Sequence, residues 1–208
     1  MKNSIVVIGA GGHAKVCIEL LQAMGEKIAY CIGGADSPNA CVGVPVLIGD
    51  ENLLRLRSVG YSRLFVAIGS NRLREHLASL GIEQGYQLVN AISPHASISP
   101  TTRLGIGIAV MAGVVINAEA NISDLVIVNS GATIDHDCQI GKAVHIAPKC
   151  GLAGSVVVGR QSMLGIGCSV IPGISIGDNA VIGAGSVVIH NIDSQVTAVG
   201  VPAKIIKY

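Results

Sequence analysis

The chain has 208 residues, half of them apolar, enough for one large domain or two small ones, which excludes a disordered polypeptide. Lys plus Arg (14) nearly balances Asp plus Glu (13), and a net charge of +1 leaves no electrostatic footprint for nucleic acid or an anionic membrane. With no Trp, a single Phe and 2% aromatic residues, any core must be filled by Ile, Val, Leu and Ala, which points to a repetitive architecture.

Mean hydropathy is high at +0.60, yet no run of about 18 apolar residues is free of Gly, Asp, Asn or His, so no membrane span is expected. The opening MKNSIVVIGAGGHAKV passes from a short apolar run straight into Gly-Gly-His without a small-residue cleavage site and reads as mature structure. A strand is predicted from Ser4 to Ile8, then a turn through Gly9-Ala10-Gly11-Gly12-His13. The helix that follows, patterned by Val16, Ile18, Leu20, Leu21 and Met24, stops at Gly25. Further strands are expected at 28–32, 44–48, 64–68 and 88–92, alternating with helices around 51–57 and 72–80. Residues 1–91 therefore predict an α/β, Rossmann-like domain whose small parallel sheet binds ligands at the carboxyl ends of its strands.

Gly9, Gly11 and Ala14 fit a G-x-G-x-x-A fingerprint, and the helix start beyond it offers N–H groups and a positive dipole end to a phosphate. A nucleotide or nucleotide-sugar phosphate, NAD, and a ligand-free tight turn are the alternatives. Against NAD, the second strand ends in Cys31-Ile32-Gly33-Gly34, where a ribose-binding acid would stand, and Asp36 comes late. His13 is placed to donate to a phosphate or sugar oxygen, or is a solvated loop histidine. Gly69-Ser70-Asn71, ahead of a helix carrying Arg72 and Arg74, forms a second candidate ligand loop, with Ser70 as a plain helix N-cap the alternative.

From Ile92 onward every sixth residue is aliphatic, through Ile116, Ile134, Leu152 and Val170 to Val188. Four places after each comes a second column of smaller residues, among them Ala96, Thr102, Cys138, Cys150, Cys168, Ser186 and Ile192. No α-helix or ordinary sheet has period six. One large and one small inward position per hexad is what a triangular parallel β-helix needs, with three hexads to each coil. Residues 92–208 are predicted to form such a prism of five to six coils, with the three cysteines as core filler. Six cysteines without CxxC spacing, in a chain too long to need disulfides, favour a reducing cytoplasm.

Most outward prism positions are small or weakly polar, so Asp135-His136-Asp137 and His145 stand out. His136 falls near a corner, and the same place one coil later is Gly154, bare enough for a ligand to approach the backbone. A carboxylate beside a histidine fixes its tautomer and stabilises its imidazolium, the requirement for a general base. His145 either faces the same groove, orients an acyl carbonyl or caps a turn. Zinc shared between histidines is disfavoured because His136, His145 and His190 are not separated by whole coils.

The hexad run resembles the left-handed β-helix acyltransferases. The GAGGHAKV start and the terminal Gly200-Val201-Pro202-Ala203-Lys204 are similar to the bacterial nucleotide-aminosugar N-acetyltransferases of the PglD, perosamine and viosamine type, with sialic acid O-acetyltransferases close by. That resemblance implies left-handedness, a homotrimer and acetyl-CoA as co-substrate. It places the catalytic histidine at His136 and its acidic partner at Asp137, where the family often has Glu. It places a histidine near the thioester at His145, and pantetheine contacts at Gly154, Ile166 and Ala184. The nucleotide-sugar site falls on Gly11, Gly12 and His13, with Gly33, Ser70 and Asn71 at the same sheet edge. Paired acids that relatives use for the base are replaced here by Gly33 and Gly34. The expected activity is N-acetylation of a nucleotide-linked 4-amino-4,6-dideoxyhexose for surface polysaccharide or glycan synthesis. The alternatives are sialic acid O-acetylation and a non-catalytic nucleotide-sugar-binding module.

Overall fold

Ile5, Val6, Val7 and Ile8 follow one another without a polar residue, and all are buried in the computed structural model, which describes residues 2–207. A strand buried on both faces needs helices on both sides, the condition that makes this part of the chain α/β. The chain forms two units, one ending at Pro94 and the other beginning at His95.

In the first unit the strands are β1 (Lys2–Ile8), β2 (Ile28–Gly33), β3 (Ala40–Cys41), β4 (Val44–Ile48), β5 (Tyr61–Val66) and β6 (Gln87–Leu88). The helices are α1 (Gly12–Ala23), α2 (Glu51–Ser58) and α3 (Asn71–Glu83). Sheet order is β3-β4-β2-β1-β5-β6, with every pairing parallel except β3 with β4. That hairpin was not expected, because its two-residue turn is Val42-Gly43, both at positive φ, and Val carries no turn signal. The strand expected at 88–92 divides into β6 and a separate pair, Ala91–Ile92. From β1 the chain moves outward to β2 and β4 and returns to β5 on the other side. The loops after β1 and β5 therefore diverge at the carboxyl edge, where such sheets hold ligands.

The second unit is the predicted prism. From Ser97 to Val188 its strands are two residues long, and the second residue of each belongs to the aliphatic column. Neighbours in a face are eighteen residues apart: Ile116, Ile134, Leu152 and Val170 on one face, and Ile122, Ile140, Val158 and Ile176 on the next. Val128, Ile146, Leu164 and Ile182 stack on the third. At each corner from Gly107 to Gly185 the third residue after the aliphatic one has positive φ, as in Glu119, Asp137, Lys149, Ser155 and Asn179, with glycine at Gly113, Gly131, Gly167 and Gly185.

The second inward column does more than fill space. Thr102 Oγ1, Cys138 Sγ, Cys150 Sγ and Ser162 Oγ each donate to a carbonyl fifteen residues on, of Asn117, Ala153, Gly165 and Gly177 respectively. Small side chains with a polar tip thus satisfy carbonyls at the corners of the next coil. The period shortens only at the end: Ile192 bridges Ile176 and Ala198 pairs with Ile182, each sixteen residues apart. Ile192, expected in the small column, takes a place in the large one. The final strand, Lys204–Lys207, folds back antiparallel on Thr197–Val199 and had no counterpart in the hexad pattern.

Gly141 sits where a Cβ would meet the backbone N of Arg160 at 2.7 Å and the carbonyl O of Val158 at 2.8 Å in the coil above. Gly141→Ala is expected to destabilise the prism by about 1–3 kcal/mol through overpacking. Ile140→Ala next to it should cost about 2–5 kcal/mol through a cavity. Urea unfolding midpoints of the two variants check both values.

Candidate active site

His136 lies two residues beyond Ile134, at the corner where one face ends. Its Nδ1 is 2.7 Å from Asp137 Oδ2, and both side chains are more than half exposed. Asp137 occupies the left-handed corner position, φ 61°, a conformation Asp tolerates better than most residues. The turn therefore holds the carboxylate beside the ring. That hydrogen bond, followed by the charge of Asp135, raises the His136 pKa above its ordinary value. With the Nδ1 proton donated to Asp137, Nε2 keeps its lone pair and can accept a proton.

Gly154 stands one coil above. A Cβ there would fall 2.5 Å from His136 Cε1 and 2.6 Å from Nε2, so the imidazole itself occupies the space that glycine leaves. The sequence reading had reserved that space for a ligand. Among the described residues no protein acceptor takes the Gly154 N–H, whereas its carbonyl accepts from Gly173. Beside this corner a groove of about 390 Å³ runs along the face, lined in part by Asn117, Thr133, Asp135, Gly151 and Ala153. Asn117 and Asp135 are one coil apart, and Asn117 Nδ2 donates to Asp135 Oδ1 at 2.9 Å. Sequence reading passed over Asn117, although counting back eighteen residues from Asp135 reaches it.

Ile166 and Ala184 are both exposed and stack on the corner at the other edge of the same face. They do not share a column with Gly154. His145 belongs to a different face from His136, is buried to 9% exposure and has its Nε2 3.2 Å from Asn129 Nδ2. Within one chain it is therefore not brought to the His136 groove.

In the α/β unit, Gly9 has φ 120°, and a Cβ there would meet the Ala67 carbonyl O at 2.6 Å, which is why the first fingerprint position must be glycine. Gly11 and Gly12 face open space instead. Ala14 is fully buried where α1 packs on the sheet. Gly33 is buried, and Ser37 and Val46 fill the space beside it, which gives this glycine a packing role. Ser70 occupies the N-cap position of α3 but makes no side-chain capping bond. The residue that organises this edge is Arg74, 1% exposed, donating to the carbonyls of Ile68 and Gly69 and to Asn71 Oδ1. Burial, helped by the Arg74 charge, lowers the His13 pKa to about 4. His13 is thus a neutral donor or acceptor near neutral pH, its Nε2 3.5 Å from Cys17 Sγ.

Among the described residues no group of three or more His, Cys, Asp or Glu could hold a metal ion, and no helix is long and apolar enough to cross a membrane.

Residues 4–80 match the PglD N-terminal domain, and residues 155–190 match the bacterial transferase hexapeptide of six repeats. PerB from Caulobacter crescentus, solved with CoA and GDP-perosamine, is 52% identical, with 99% of this chain and 98% of that one covered and a TM-score of 0.96. The acetyltransferase domain of PglB from Neisseria gonorrhoeae FA1090, solved with acetyl coenzyme A, is 34% identical, covers 99% and 100%, and has a TM-score of 0.92. WeeI from Acinetobacter baumannii AYE is 26% identical over 98% and 99%, with a TM-score of 0.87. An α/β unit with a glycine-rich edge, joined to a hexapeptide prism with a histidine–aspartate pair at a corner, defines an acyltransferase architecture. The chain belongs to the acetyl-CoA-dependent, left-handed β-helix sugar N-acetyltransferases of the PglD and perosamine type.

The two histidines are expected to separate widely in an NMR titration of the full chain. His136 should titrate above the ordinary histidine value of about 6.5 and His13 near 4. In Asp137→Asn the His136 midpoint should move down while that of His13 stays in place.

Proposed function

We propose that this chain transfers the acetyl group of acetyl-CoA to the 4-amino group of a nucleotide-linked 4-amino-4,6-dideoxyhexose, in the synthesis of a surface polysaccharide or glycan. A GDP-linked sugar is the leading substrate, because the 52% identical PerB is solved with CoA and GDP-perosamine. The observation that carries the reading is the 2.7 Å pairing of His136 Nδ1 with Asp137, which leaves Nε2 as a base beside an open groove.

His136 Nε2 removes a proton from the sugar nitrogen as that nitrogen attacks the thioester carbonyl, and Asp137 stabilises the imidazolium that forms. The Gly154 N–H donates to the oxygen that becomes negative. When the carbon–sulfur bond breaks, His136 returns the proton to the departing thiolate, giving the N-acetyl sugar and free CoA. Acetyl-CoA supplies only the activated acyl group. No acyl-enzyme is required: Cys138, Cys150 and Cys168 point inward and are buried, and Cys138 and Cys150 give their thiol protons to carbonyls. Ile166 and Ala184 would flank the pantetheine arm at the far edge of the face, and His145 would reach a thioester only as a residue contributed to a neighbouring subunit's groove. In the α/β unit, Gly11, Gly12, His13, Ser70 and Asn71 would hold the nucleotide, and Gly33 would support that edge through packing.

Because His136 is open on one side, the site is completed by a neighbouring subunit in a homotrimer, and a verified monomer with full activity would overturn that assembly. The free, buried cysteines suit a cytoplasmic enzyme.

Thiol release from acetyl-CoA with GDP-, UDP- and dTDP-linked 4-amino-4,6-dideoxyhexoses, alongside free sialic acid, tests the activity. Turnover on one nucleotide amino sugar is expected, with kcat falling about 10²–10⁴-fold in His136→Ala. Turnover on sialic acid alone would establish O-acetylation instead, and silence throughout would leave a binding module. Since the base must be neutral, kcat/KM should rise with pH through the raised His136 pKa. Asp137→Asn should move that rise to lower pH and reduce the plateau.

A further inference from the structure

Arg74 stands in the first turn of α3 and is 1% exposed, yet its guanidinium reaches back into the loop after β5. Nη1 donates to the carbonyls of Ile68 at 3.0 Å and Gly69 at 3.1 Å, and Nη2 donates to Asn71 Oδ1 at 2.9 Å. Both peptide units are trans, so each N–H points opposite to its own carbonyl. Two carbonyls converging on one buried nitrogen therefore turn the N–H groups of Gly69 and Ser70 away from the guanidinium. Neither N–H has a protein acceptor among the described residues, and a Cβ at Gly69 would meet nothing within 4 Å. The positive end of the α3 dipole falls at the same place. A buried cation is costly, and an apolar side chain could pack α3 against the sheet without that cost.

We propose that Arg74 is a positioning residue for the diphosphate of the nucleotide-linked sugar: it holds two carbonyls from behind and so aims the N–H groups of Gly69 and Ser70 at phosphate oxygens, without touching the ligand. This rests on the reading of this sheet edge as the nucleotide-sugar site. A lysine would supply the same charge, but only a guanidinium offers several N–H groups in one rigid plane, enough for two carbonyls and an amide oxygen together. Burial lowers the Arg74 pKa to about 10, which leaves it ionised near neutral pH. Its positive charge therefore lies behind the same N–H groups. At the neighbouring loop, burial and then the Arg74 charge keep His13 neutral, so the cation of this edge is Arg74 and not the histidine.

The test is calorimetric binding of GDP, UDP, dTDP and acetyl-CoA to the full chain, with wild type, Arg74→Lys and Arg74→Met. For the diphosphate that wild type binds, affinity should fall about 10- to 100-fold in both variants, the range of lost hydrogen bonds to a charged group, while acetyl-CoA affinity changes by less than about twofold. With the matching nucleotide amino sugar, KM should rise by a similar factor and kcat at saturation should hold within about twofold. Arg74→Lys carries the test if Arg74→Met does not fold. In wild type, the NMR resonances of the Gly69 and Ser70 amides should shift when the diphosphate binds, a measurement that needs no variant. Full diphosphate affinity in Arg74→Lys would show that charge alone suffices, and equal losses for diphosphate and acetyl-CoA would show a general packing role. Unshifted Gly69 and Ser70 amides with the diphosphate bound would place its phosphates elsewhere; each of these results overturns the proposal. A wild type that binds acetyl-CoA but none of the three diphosphates overturns the underlying reading as well.

Discussion

Each side of the prism is six residues long, and from Gly107 to Gly185 the chain turns from one side to the next through a residue of positive φ in every hexad. The rest of the site depends on that turn. It brings every eighteenth residue into register, so side chains far apart in sequence stack directly above one another. At one corner the left-handed residue is Asp137, and the same backbone bend that closes the coil sets a carboxylate against His136. The histidine–aspartate pairing and the chain geometry are one constraint here, so the pair requires no mobile loop to assemble it.

Stacking also determines what may stand above and below. Gly154 is bare because the His136 ring lies over it, and Asn117 braces Asp135 from the coil beneath. The corner thus spans three coils: a brace, an acidic–histidine–acidic triplet and a glycine whose N–H meets no protein acceptor among the described residues. Inside, the hydroxyls and thiols of the small column bond to corner carbonyls, which stiffens the turns that carry these groups. Low aromatic content follows from the same geometry, since a triangular interior built from hexads has room for one aliphatic and one small side chain per side.

The α/β unit reaches its arrangement by different means. Its central strands are buried on both faces, its first glycine yields to the Ala67 carbonyl, and the next two remain open at the helix start. Arg74, almost wholly buried, ties the loop after β5 together through two carbonyls and Asn71. Burial, with the Arg74 charge second, holds His13 uncharged near neutral pH, so the glycine-rich turn presents a neutral imidazole beside backbone N–H groups. Binding of a phosphate there would rely on the backbone and the helix dipole more than on a histidine cation.

The hexad period, the two inward columns, the strand–turn–helix opening and the His136–Asp137 pair were legible in the sequence. Each is written in residues close together or at a constant spacing, and local backbone geometry converts such spacing directly into position. Three features were not legible. The β3–β4 hairpin turns at Val42, whose φ is imposed by pairing and not by propensity. The shortened last coil places Ile192 in the wrong column for its count, because the final strand follows register with its neighbour and not the period. Arg74 gives no local signal, since its burial depends on carbonyls that only the folded sheet edge brings to it. Sequence alone determined the architecture and the acid–histidine pair; tertiary structure decided what braces Asp135, what occupies the space at Gly154 and which face carries His145, because these depend on contacts between coils.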